Sequence, residues 1–143
     1  MEQKTNRIND ALIAMMIPED IRNVCEIKKI EEWDLEWNIH LVEKKELIPE
    51  KISHLDTVLN WFMNKIELIS FPAQDKAVYF QILRRRWKIR GTNQDYFNEY
   101  DFYYKGLKIT KNFGNFLKEI TRQERRKFFA TFPNIRNISE KDF

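Results

Sequence analysis

Residues 77–90 read AVYFQILRRRWKIR, and this stretch decides the fold. Its alternate positions fall into two sets, as they do in a strand whose side chains point to opposite faces. Val78, Phe80 and Ile82 share one face, which continues as Arg84, Arg86 and Lys88. Tyr79, Gln81, Leu83, Arg85, Trp87 and Ile89 share the other. One end of the strand is therefore core, and the other end is cationic. Such a strand needs partners, and both flanks offer them. Upstream, Lys65 to Phe71 alternates Ile66, Leu68 and Ser70 against Glu67, Ile69 and Phe71, and Pro72–Asp75 reads as a turn with Pro at its start. Downstream, 91–95 reads as a loop, and Tyr96 to Tyr104 (YFNEYDFYY) reads as an aromatic strand able to pair back, with Gly106 marking its exit.

Farther upstream, Trp33, Leu35, Trp37, Ile39 and Leu41 alternate with Asp34, Glu36, Asn38, His40 and Val42, again a strand period. Val24 to Ile30 alternates as well, so a hairpin turning near Glu31–Asp34 is expected although no glycine marks it. Before it, Ile8, Leu12, Met15 and Met16 are helix-spaced, and Pro18 is suited to open a short second helix through Ile21. Residues 44–51 read as a loop, and 52–63 are ambiguous, because Ile52, Leu55, Leu59 and Phe62 fit a helical period over a short window. Two helices follow the aromatic strand. Thr110 is a suitable N-cap for a stripe of Phe113, Phe116, Leu117 and Ile120, and Thr121 with Glu124 forms a possible capping box for a last helix through Phe132. Pro133 ends it and leaves a loose tail over 133–143. The expected fold class is α+β: a small antiparallel sheet of hairpins with N-terminal and C-terminal helices, in a single domain over 1–143.

Composition narrows the function. The chain has 143 residues, 43% hydrophobic and 33% charged, with 11 Phe, 5 Tyr and 4 Trp, so it can bury a core and is no disordered tail. Cys25 is the lone cysteine and there are 2 His, which excludes a disulfide framework and a four-ligand zinc site built from this chain. No targeting signal and no membrane-length apolar run is apparent, which predicts a cytoplasmic protein. The net charge of +3 conceals an asymmetry: residues 1–75 carry a net of −6 and residues 76–143 a net of +9. An acidic half (about 1–75) and a basic half (about 76–132) are thus expected, the latter meeting a polyanion or simply forming a solvated surface.

No constellation suggests catalysis. The glycines are isolated, the histidines lie 14 residues apart without metal-ligand spacing, and no carboxylate has a tuning partner. An enzyme is not expected, and no cofactor or metal is called for. The run Arg84-Arg85-Arg86-Trp87-Lys88-Ile89-Arg90 admits two readings. Guanidinium groups suit phosphate anchoring of nucleic acid, and an edge strand is protected by charge against aggregation.

Phe71-Pro72, Val78-Tyr79-Phe80 and Arg84-Arg85-Arg86-Trp87 resemble the N-terminal region of bacterial ISAon-type insertion-sequence transposases. The resemblance continues through Lys105-Gly106-Leu107-Lys108-Ile109-Thr110, Phe113 and Phe116-Leu117-Lys118-Glu119-Ile120-Thr121-Arg122, and loosely through Ile17-Pro18-Glu19, Ile27 and Ile30. It covers about residues 15 to 122. It implies the short first reading frame of a split transposase whose second frame encodes the catalytic chain. Related transposases carry a zinc ribbon at the corresponding hairpin. Here no cysteine occurs between Arg86 and Tyr104, so the resemblance implies a degenerate, metal-free hairpin held by Trp87, Tyr96, Phe97, Tyr100 and Phe102.

The resulting expectation is a non-catalytic DNA-binding module for transposon ends. Its DNA-binding residues would be Arg84, Arg85, Arg86, Trp87, Lys88 and Arg90, with Arg84, Arg86, Lys88 and Arg90 on the phosphates, extended by Lys105, Lys108 and Lys111 toward the helix start and by Arg122, Arg125 and Arg126. The alternative is a protein-interaction module in which the acidic hairpin, through Trp33 and Trp37, docks the catalytic chain. Oligomeric state is not legible.

Overall fold

The computed structural model describes residues 15–104 and 106–143. Most of the helix expected over Thr5–Met16, and Lys105, lie outside the described residues. Within them the protein is α+β, with two sheets and a few helices. The strands are β1 (Cys25–Glu32), β2 (Glu36–Glu43), β3 (Thr57–Phe62), β4 (Ile66–Ala73), β5 (Lys76–Leu83), β6 (Arg85–Ile89), β7 (Asp95–Tyr96), β8 (Tyr103–Tyr104) and β9 (Ile109–Thr110). The helices are α1 (Glu19–Arg22), α2 (Lys111–Glu119) and α3 (Arg122–Thr131). The main sheet has six strands in the order β1-β2-β5-β4-β9-β8, and the smaller one has three in the order β3-β6-β7. The expectation of a purely antiparallel sheet is corrected, because β2 runs parallel to β5 and β4 parallel to β9.

The decisive stretch is one strand shared between two sheets. It runs as β5 through the centre of the main sheet, bends at Arg84, and continues as β6 in the small sheet. Its partner does the same: β4 pairs with β5 antiparallel, and β3 pairs with β6 antiparallel. The Met63 amide donates to the Arg84 carbonyl at 2.9 Å and carries the pairing across the bend. Residues 57–73 and 76–89 thus form one long ribbon whose far end leaves the main sheet. The ambiguous 52–63 segment resolves as a 3-10 turn (Glu50–Ile52) and a strand. The turn joining β4 to β5 is tighter than expected. Strand β4 runs through Pro72 to Ala73, and Gln74 and Asp75 make the turn alone with φ of 52° and 64°. Positive φ at both positions matches the twist of the flanking strands.

Strand β5 is buried from Ala77 to Gln81 and at Ile82, so both faces of the main sheet are covered around it. On one face Ile39, Leu41, Leu68, Phe80 and Ile82 pack under Ile17, Ile21 and Phe102. On the other, Ile69, Ala77 and Tyr79 pack under Phe113 and Leu117 of α2 and under Ile135 and Ile138. The tail is therefore not loose. Ile135 and Ile138 are buried, and Arg136 reaches Glu67 and Glu36 with its guanidinium 4.0 Å from the Tyr79 ring. The acidic and basic halves are likewise not separate in space. β2 lies beside β5, Lys76–Glu32 and Arg90–Asp56 join one half to the other, and Arg136–Glu36 ties the tail to the acidic half.

Helix ends show which local rules hold. Thr121 caps α3 in a full capping box: its side chain accepts from the Glu124 amide at 3.1 Å, and Glu124 accepts from the Thr121 amide at 3.0 Å. Thr110 occupies the N-cap of α2, but its buried hydroxyl has no partner among the described residues. No helix among the described residues is long and apolar enough to cross a membrane.

Candidate nucleic-acid interface

Alternation along β6 sorts its cations. Arg85 and Trp87 point inward and are buried, whereas Arg86 and Lys88 are half-buried and Arg90 is exposed. The inward pair is a correction to the expected contact set. Arg85 is 6% exposed; its amide donates to Glu43 Oε1 at 2.8 Å, its Nε donates to the Glu43 carbonyl at 2.7 Å, and its guanidinium stacks 5.4 Å from the Phe62 ring. Trp87 packs inside the small sheet, opposite Leu59 and Tyr96. These residues hold the bend and present nothing to a ligand.

Glu43, at the end of β2, organises that bend. It is fully buried, and its carboxylate accepts from the Arg85 amide, from Asn98 Nδ2 at 3.1 Å and from the Tyr100 hydroxyl. A buried carboxylate is tolerable because each oxygen is hydrogen-bonded. Burial, with Glu43 beside it, holds the Tyr100 phenol well above its usual range. The same two influences push the Cys25 thiol up to about 12, so it stays protonated and unreactive at neutral pH.

The outward cations are partly engaged. Arg84, at the bend, donates to the Asn98 carbonyl at 3.5 Å and lies 5.5 Å from the Phe97 ring. Arg86 donates from Nε to the Asn60 carbonyl at 2.9 Å and sits 3.8 Å from Asp95. Arg90 pairs with Asp56 at 2.9 Å, but both side chains are about two-thirds exposed, and such pairs exchange readily with solvent or a competing anion. Lys88 has no ion-pair partner among the described residues. The row Arg86, Lys88, Arg90 therefore faces outward on one side of the small sheet.

The C-terminal cations form a separate group. Arg122, Arg125 and Arg126 line a cavity of about 310 Å³ together with Lys141 and Glu140. Arg125 is committed structurally: its Nη1 donates to the Leu117 and Ile120 carbonyls at 3.0 and 2.8 Å and closes the end of α2. Arg126 pairs with Glu140 at 3.1 Å, and Arg122 has no partner among the described residues. Lys111 pairs with Asp101 at 2.7 Å. Lys108 has φ of 51° and lines another pocket beside Lys65 and Asn137. The structure thus does not join the expected contacts into one continuous row. Among the described residues no group of three or more His, Cys, Asp or Glu could hold a metal ion.

One exposed residue carries no signal in the sequence. Trp61 is 73% exposed with φ of 72°. The pairing of β3 with β6 passes from Leu59↔Trp87 to Phe62↔Arg85, so Asn60 and Trp61 both stand opposite Arg86 in a bulge. In the sequence it sits inside an apolar run of undecided period, which offered no signal. No protein-family model matches this chain, and neither a curated protein nor a solved structure matches it.

Proposed function

We propose that this chain is a non-catalytic DNA-binding module of the insertion-sequence transposase type, working in the cytoplasm beside a separate catalytic chain. It contacts DNA phosphates through the outward side of the small sheet. The observation that carries the reading is the alternation along β6, with Arg85 and Trp87 inside and Arg86, Lys88 and Arg90 outside. This revises the contact set to Arg86, Lys88 and Arg90, supplemented by Arg122, Arg126 and Lys141. In this reading the β6–β7 hairpin is the metal-free counterpart of a zinc ribbon. The register Trp87↔Tyr96 and the Asn60–Asp95 hydrogen bond hold it where cysteines and a metal would otherwise do so.

The test is a fluorescence-anisotropy titration against terminal-repeat DNA and a scrambled duplex at two salt concentrations. If about six phosphates are neutralised, the log–log salt slope is about −5. Lys88→Glu with Arg90→Glu weakens binding and flattens that slope. Unchanged affinity in this variant, or no binding at low salt, ends the reading.

A second reading is favoured by the β1–β2 turn, where Trp33 and Leu35 are 54% and 56% exposed. An aromatic and an aliphatic side chain left in water at a hairpin tip suit a protein partner. Co-purification with the catalytic chain without DNA, lost in Trp33→Ala, supports docking there.

A further inference from the structure

We propose that Trp61 is a stacking platform for an unpaired DNA base, beside the phosphate row of β6; this rests on the DNA-binding reading above. A large ring in water normally reflects a geometry that the rest of the fold imposes. Here the reverse holds, because the backbone itself is unfavourable. A bulky residue with φ of 72° occupies the left-handed region that such side chains avoid and glycine tolerates. The bulge that produces it lifts the ring out of the small sheet to 73% exposure. Packing gives little in return: among the described residues the ring makes one aromatic contact, an edge-on approach to Phe62 at 5.6 Å. Strain at an exposed aromatic, with no structural gain to offset it, points to a ligand.

The surroundings identify the ligand chemistry. Trp61 and Asn60 stand across from Arg86, whose Nε is held by the Asn60 carbonyl at 2.9 Å. Lys88 and Arg90 follow on the same side of β6. A flat ring next to a line of cations matches a nucleic-acid strand, whose phosphates follow the charges while a base lies on the ring. An apolar protein surface would not be drawn to three guanidinium and ammonium groups. An unpaired base is favoured over insertion into a duplex, because it can lie on the ring without the energy of unstacking a base step. The partner is therefore DNA with a single-stranded tail or an opened end.

The experiment compares a blunt duplex with the same duplex bearing a short single-stranded tail that contains 2-aminopurine. The native chain binds the tailed DNA more tightly and changes the 2-aminopurine emission. Trp61→Ala removes that preference, by about 5- to 150-fold on the scale of single base–aromatic stacks, and leaves blunt-duplex binding as it was. Trp61→Phe keeps most of the preference. Trp61→Gly also loses it but melts at a higher temperature than the native chain, which a structural role for the ring would not produce. If Trp61→Ala retains the tail preference while Lys88→Glu with Arg90→Glu weakens all binding, the stacking proposal falls and the phosphate contact stands. If the native chain binds neither DNA at low salt, both fall. If Trp61→Ala instead loses capture of the catalytic chain with DNA affinity intact, the ring is a protein anchor and the proposal is overturned.

Discussion

The two ends of the ribbon are made from the same two strands, yet they have opposite surroundings. Where β4 and β5 pair, the ribbon lies inside the main sheet, with Leu68, Tyr79, Phe80 and Ile82 fully removed from water. Where β3 and β6 pair, it is open on one side, and Leu59 and Trp61 remain exposed. The hydrogen-bond ladder is continuous through Met63 and Arg84, so backbone pairing does not separate the two regions. Side-chain cover does. The inner end is braced by α1, α2 and the tail, whereas the outer end is braced chiefly by its own cross-strand contacts and by the Glu43 joint. A binding surface built at the outer end can keep strain and unpaired charge because the stability resides elsewhere.

The sharpest way to break this comparison is to truncate equivalent apolar residues at the two ends. Phe80→Ala, in the middle of the main sheet, is expected to destabilise by about 3–5 kcal/mol. Leu59→Ala, at the outer end, is expected to lose only about 1 kcal/mol, since Leu59 is already 45% exposed. Urea unfolding of both variants checks this. Equal losses would mean that the small sheet is a second core.

The joint comes next. Glu43→Ala strands the Arg85 amide and the Tyr100 hydroxyl in a dry site, and about 2–6 kcal/mol of stability is lost at a typical 1–3 kcal/mol for each orphaned group. Glu43→Gln keeps an acceptor and loses less. The contrast is best read in hydrogen exchange: Glu43→Ala loosens β3 and β6 well before β4 and β5. Simultaneous loosening would show that the bend is not a boundary.

These expectations indicate what was legible in the sequence. Period-2 alternation located β1, β2, β4 and β5 and separated the two faces of β6, because in a strand the face of a side chain follows from its position whether one face is covered or, as at β5, both. The β3 segment was not legible: Leu59 and Phe62 match a helical spacing, and the strand follows from pairing with β6, which lies 26 residues away at Asn60–Arg86. The parallel placement of β2 beside β5 is also a long-range outcome. Charge misled in a specific manner. Counting cations along residues 76–143 does not reveal that Arg85 is held by Glu43, Arg125 by helix-end carbonyls and Arg136 by Glu67 and Glu36. Of the expected contacts, the alternate ones on β6 retained an outward position, because strand geometry alone sets that.

The tail sharpens the inner end of the comparison through pH. Burial opposes ionisation of Glu67, but the hydrogen bonds from Arg136 and Gln81 outweigh it and hold its carboxyl below the usual value of 4.5. A depressed folded-state pKa means stability that is fully present above about 4.5 and lost as pH falls through the lower, folded value. Both partners are partly solvated, so the effect is modest and screened by salt. Glu67→Gln removes this share of the acid sensitivity, so its urea midpoint falls less than that of the native chain between pH of about 6 and about 3. A Lys88→Gln control, at the outer end, leaves the acid profile unchanged. Parallel profiles for native chain and Glu67→Gln would show that the tail is held by Ile135 and Ile138 alone.

The smallest effect isolates backbone from packing at the outer end. Gly91, which follows β6, has φ of 84°, and a Cβ built there meets no atom within 4 Å. Gly91→Ala therefore creates no clash, and its loss of about 1 kcal/mol is purely the left-handed backbone penalty of an L-residue. Trp61→Gly is the mirror experiment on the opposite strand: a similar backbone term is relieved, and stability rises by about as much. The two substitutions, measured by thermal melts in the same buffer, should move in opposite directions while neither touches the core. Gly91→Ala leaves DNA affinity unchanged because it removes no cation and its added methyl meets no neighbouring atom, whereas Trp61→Gly loses the tail preference. If both variants lower stability, the Trp61 ring supports the small sheet after all, and its exposure is a by-product of the bulge.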